Sequence, residues 1–101
     1  MSSYRLARPA KADLDEIWLF IAQDAGLETA DRFIDAITDR FVMLAGMPEA
    51  GRLADHIEQG VRVFPVETYL IYYRTSPGWI SIARVIHGMR DQQSAWHDES
   101  K

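Results

Sequence analysis

The sequence predicts an α+β fold: an N-terminal strand, an antiparallel two-helix hairpin packed on one face of an antiparallel sheet, and a C-terminal three-stranded meander that completes that sheet. Three observations carry this. Two stretches in the first half repeat apolar residues every three or four positions. The stretch from Gly60 to Arg90 is rich in β-branched and aromatic residues and is punctuated by turn signals. Only a few residues separate the two helical stretches, so the helices must fold back on each other.

Each element has its own signal. Tyr4 to Arg8 alternates in character and reads as a short first strand. Pro9 cannot donate a ladder hydrogen bond but suits the first turn of a helix. The first helix carries Leu14, Ile17, Trp18 and Ile21 as one apolar stripe, with Asp13, Asp15, Glu16 and Asp24 mainly on its other faces. Gly26 is a natural stop. The second helix starts near Glu28 and Thr29. Its stripe is Ala30, Phe33, Ile34, Ile37, Phe41 and Leu44, with Asp31, Asp35 and Asp39 recurring outside, and Gly46-Met47-Pro48 ends it.

Glu49 to Gly60 reads as a polar connector. Val61 and Val63 then point one way and Arg62 and Phe64 the other, with Pro65 marking an edge or a strand end. Tyr69 to Arg74 is a run of β-formers. Ser76-Pro77-Gly78 is a turn, and Trp79 to Ile86 is the last strand of the meander. A short terminal turn of helix is expected around Ala95 and Trp96. The other sheet face need not be covered by this chain.

Composition narrows the function classes. The 101 residues form a single expected domain over 1–101, and 48% hydrophobic residues fill a core of that size. There are no cysteines, which excludes a disulfide framework and any thiolate metal site. Three scattered histidines lack metal-site spacing, so no metal and no cofactor is expected. No signal-like or membrane-spanning run is present, and a cytoplasmic protein is expected. The net charge is −4, which argues against direct sequence-specific nucleic-acid binding. The charge is uneven, however. The first sixty residues carry eleven acids against six bases, whereas Gly60 to Arg90 carries Arg62, Arg74, Arg84 and Arg90 against Glu67. Two surfaces of different charge suggest two partners.

Several ordered motifs resemble a known family. ADLDEIWLFIA on the first helix, then AxxFxxxIxxxFxxL, then MPEAGR, then GVRVFPVETYLIYYR and RVIHGMRD are similar to the ParE branch of the RelE/ParE toxin superfamily. The most specific parts are Pro48 with Gly51-Arg52, the block Gly60-Val-Arg62…Pro65…Tyr69…Tyr73-Arg74, and Arg84-Val-Ile-His87-Gly88-x-Arg90-Asp91. The resemblance implies a RelE/ParE-like fold and a toxin of a type II toxin–antitoxin module. It implies a hetero-oligomer with a ParD-type antitoxin, and DNA gyrase as the target. The RelE branch instead cleaves mRNA on the ribosome. A non-toxic subunit that only binds its antitoxin is a third reading.

The residues favour an inhibitor over an enzyme. RNA cleavage needs groups that activate the 2′-hydroxyl, stabilise the charged phosphorane and protonate the leaving oxygen. Related RNA-cleaving members use a Lys and Arg cluster with a C-terminal Tyr. Placed by the motif, one strand Arg falls on Leu70 here and the Tyr falls near Trp96. Arg62 matches one strand lysine at best, Phe64 stands where another would sit, and Arg90 corresponds well. No catalytic residue is therefore assigned. Arg62, Arg84, His87, Arg90 and Trp96 are the expected target contacts, with the strand arginines on an exposed face or edge. His87 is read first as a structural residue of the turn and second as a titrating group. Trp18, Leu19, Phe20 and Arg74 are the expected antitoxin contacts.

Overall fold

The apolar stripes of the first half become two long helices, and the β-rich second half becomes a sheet. The computed structural model of the chain describes residues 3–98. The order is β1 (Ser3–Leu6), α1 (Arg8–Ala25), α2 (Leu27–Gly46), β2 (Arg52–Leu53), β3 (Arg62–Val66), β4 (Tyr69–Ser76), β5 (Trp79–His87) and α3 (Gln92–His97). Pro9 occupies the first turn of α1, where its missing N–H leaves no bond unmade. Gly26, at φ 98°, lets the chain turn directly into α2. Pro77-Gly78 links β4 to β5, with Gly78 at φ 83° as a type II turn requires.

The sheet order is β1-β5-β4-β3-β2. The meander β3-β4-β5 pairs antiparallel as expected. Two details differ from the sequence expectation. Strand β1 runs parallel to β5, so the sheet is mixed, because pairing direction depends on how α1 and α2 return the chain and not on the strand's own alternation. The connector also contributes the two-residue edge strand β2, too short to leave a periodic signal.

Alternation along the strands gives the sheet two apolar faces. Tyr73, Ile71, Ile80, Ile82 and Val66 face the helical hairpin, where they meet Leu14, Ile17, Ile37, Phe41 and Leu44. Val63, Tyr72 and Ile86 face the other way, against Ala54 and Ile57 of the connector and Ala95 and Trp96 of α3. The second face is thus partly covered by this chain. A register shift at Tyr72/Tyr73 accommodates one extra residue in β5, a β-bulge that re-aims Arg84 and Val85. Among the described residues no helix is long and apolar enough to cross a membrane.

Candidate functional site

The bulge and the early departure of β1 create the central polar feature. β1 pairs with β5 only as far as Ile82 and leaves the rest of that edge without a strand partner. Asp13 of α1 takes its place. Its carboxylate accepts the backbone N–H of Val85 at 2.9 Å and grips Arg84 through two bonds, from Nε at 2.7 Å and from Nη2 at 2.8 Å. The other guanidinium arm donates to the carbonyl of Ala95 in α3. One buried, bidentate pair thereby ties α1, β5 and α3 together.

The loop after β5 is held by a second network. Gln92 donates to the carbonyls of His87 at 2.9 Å and Arg90 at 2.7 Å, and accepts from the Tyr72 hydroxyl at 2.9 Å. His87 Nδ1 accepts the Met89 N–H at 3.1 Å, and its ring stands edge-on to Tyr69, which meets Phe33 in the same way. This is the structural role expected for His87. Asp91 accepts the Ser94 N–H as the N-cap of α3. Arg90 is exposed. It borders two clefts beside α1, one of about 180 Å³ with Glu16, Phe20, Tyr69 and His87, the other of about 150 Å³ with Pro9, Ala12 and Glu16.

A third network locks the connector to the sheet. The Tyr73 hydroxyl accepts the Gly51 N–H and donates to the Pro48 carbonyl, both at 2.8 Å, and Arg62 donates to the Gly51 carbonyl at 2.6 Å. A side chain at position 51 would place its Cβ 2.5 Å from the Tyr73 hydroxyl and 2.9 Å from the Val63 carbonyl, which is why glycine is needed there. Burial pushes the Tyr73 hydroxyl pKa above its usual value, with the Gly51 bond opposing. In α3, the Trp96 indole N–H donates to Glu58, which is also bonded to Arg74. The Arg74 bond first, and the Trp96 bond second, hold the Glu58 carboxyl below the usual range.

The expected site residues therefore separate. His87 and Arg90 come together beside the clefts. Arg84 is corrected from an exposed contact to a buried structural cation, and Trp96 from a target contact to a core residue, because the Asp13 carboxylate and the second apolar cluster claim them. Arg62 is half-buried and committed to Gly51. Trp18 is half-buried and bridges the hairpin through its N–H to Asp31 at 2.8 Å. Leu19 and Phe20 are exposed at 52% and 65%, so they alone of the expected α1 contacts are open apolar surface. Arg74 lies apart from them on the second sheet face. Sequence reading placed Asp13 outside the helix stripe, although it lies beside Leu14 and four residues before Ile17. That spacing was the available signal for its burial.

A two-helix hairpin packed on a five-stranded sheet is the RelE/ParE-like toxin fold. Two solved structures have it. The chromosomal ParDE toxin–antitoxin system from P. aeruginosa matches with a TM-score of 0.75 and 26% identity, over 86% of this chain and 96% of that one. The toxin–antitoxin complex RelBE2 from Mycobacterium tuberculosis matches in fold, with a TM-score of 0.66 and 21% identity over 85% and 96%. The family model for the ParE toxin of the type II toxin–antitoxin system parDE matches residues 4–92, and the chain belongs to that family. Curated relatives agree. Toxin ParE1 of Caulobacter vibrioides is 33% identical over 86% of this chain and 90% of its own length, and Toxin ParE1 of Mycobacterium tuberculosis is 31% identical over 89% and 93%.

Proposed function

We propose that this ParE-type toxin arrests growth by binding DNA gyrase and is neutralised by a ParD-type antitoxin in a tight hetero-oligomer. The family match over residues 4–92 carries the reading. The structure supports binding over bond chemistry. Of the positions where RNA-cleaving relatives hold their catalytic groups, those at Leu70 and Trp96 carry apolar side chains packed in the second cluster, and Phe64 replaces a lysine. Indole cannot serve as an acid or base at ordinary pH. The covalent chemistry is then gyrase's own, and the toxin acts by preferring the cleaved-DNA state. His87 and Arg90, set beside α1 by Gln92, are the target contacts. Leu19 and Phe20 receive an amphipathic segment of the antitoxin.

The test is incubation of antitoxin-free protein with gyrase, supercoiled plasmid and ATP, followed by denaturation. Dose-dependent, protein-linked linear DNA is expected, and Arg90→Ala is expected to reduce it. Folded protein that yields no cleavage complex, and instead cuts mRNA on translating ribosomes, overturns the reading.

A further inference from the structure

The second sheet face is covered only in part, and the uncovered end has a composition of its own. Tyr4, Tyr73, Ile80 and Ile82 face the hairpin core, so their neighbours along each strand face away from it. Register then places Arg5, Ser81 and Arg74 in one row across β1, β5 and β4, and Ser3, Trp79 and Ser76 in the next. The contacts agree with this placement. The Arg5 guanidinium lies 4.4 Å over the Trp79 ring, and that of Arg74 lies 5.3 Å from the Trp96 ring. Both arginines are exposed, while α3 and the connector lie over the rows beyond Arg74 and reach it through Trp96 and Glu58. A cleft of about 190 Å³ bordered by Pro9, Arg74, Ala83 and Trp96 continues this floor.

The geometry points to an acceptor surface for an extended, acidic segment of a partner protein, with Arg5 and Arg74 as its two carboxylate anchors, Ser81 between them and Trp79 as the apolar floor. The chain already shows the chemistry: its own Glu58 carboxylate sits between the Arg74 guanidinium and the Trp96 indole N–H. Two strand spacings separate the arginines by roughly 10 Å at Cα, and alternate carboxylates of an extended segment lie about 7 Å apart on one side, a span that the long arginine arms cover. A nucleic-acid strand fits less well. Binding a polyanion at ordinary salt draws on about 6–10 phosphate contacts, and this patch offers two cations on a chain of net charge −4. The surface lies on the opposite side of the sheet from the helical hairpin, and the inference stands whether or not gyrase is the target.

The test uses the full chain and a fluorescein-labelled dodecapeptide of alternating Glu and Thr, read by fluorescence anisotropy, beside a single-stranded thymidine oligonucleotide. The peptide is expected to bind with strong salt dependence. Arg5→Gln, and separately Ser81→Glu, are expected to weaken it about tenfold, as loss of one charge-assisted contact does, while Arg32→Gln on α2 leaves it unchanged. Arg5→Gln keeps the Arg74–Glu58 pair intact, and an unchanged melting temperature shows that the fold is kept. Peptide binding that is undetectable, or equal in wild type and both variants, overturns the inference. So does tighter binding of the oligonucleotide that is lost in the same variants.

Discussion

Single residues decide where this fold is brittle. Asp13 carries three bonds to β5 and is buried with its partner. Asp13→Ala removes the carboxylate bonded to Arg84 and to the Val85 N–H, and is expected to cost about 3–5 kcal/mol. Urea unfolding followed by tryptophan fluorescence measures this, and replacing Arg84 by Met in the same chain should recover part of the loss. Tyr73 and Gly51 form the second such point. Tyr73→Phe removes two bonds and strands the Gly51 N–H, a loss of about 1–3 kcal/mol. Gly51→Ala forces a Cβ against the same hydroxyl, with a similar penalty of about 1–3 kcal/mol from overpacking. If Gly51→Ala unfolds at wild-type urea concentration, the close approach of Gly51 to Tyr73 is not what keeps that position small.

At the scale of elements, helices and meander strands were legible because their periodicity is local. The stripe from Ala30 to Leu44 and the alternation from Val61 to Ile86 each report which side faces a core. What was not legible depends on distant partners. The parallel register of β1 on β5 follows from the path of the whole hairpin. The burial of Arg84 needs a carboxylate seventy-one positions earlier, and an arginine in a strand reads the same whether or not that carboxylate arrives. Trp96 likewise shows itself as core only once the second sheet face is known to need a cover. On α1, Leu19 and Phe20 stayed outside both cores. Phe20→Ser is expected to change stability by no more than about 0.5 kcal/mol, as surface substitutions do. Under the antitoxin reading it weakens antitoxin capture at least tenfold, which surface plasmon resonance on immobilised toxin measures. Unchanged affinity would move the docking surface off α1.

For the whole molecule, the short helix α3 is held by polar bonds made by Gln92, Gln93 and Trp96 and by one accepted at the Ala95 carbonyl. Its Trp96 is tied to Glu58, whose folded pKa is depressed by Arg74 and by that same indole. A depressed carboxyl contributes stability above its unfolded value, near 4.5, and loses that contribution as pH falls through the folded value below it. Acid is therefore expected to loosen α3, read as a red shift of tryptophan emission that sets in as pH falls below about 4.5 and through the lower folded value. Glu58→Gln, which resembles the protonated acid, should remove that step and show the red-shifted emission already at neutral pH. A single transition of identical midpoint in both proteins would show that Glu58 does not govern it.

The pairing of β1 with β5 has a consequence in time. β1 and Asp13 are synthesised before the strand and the arginine with which they pair. At about 5–20 residues per second, the seventy-one positions between Asp13 and Arg84 take roughly 4–14 seconds to translate. Through that interval the helical hairpin has no sheet to rest on and its apolar stripe is open. Any segment able to cover that stripe, if present during synthesis, meets it before the sheet does.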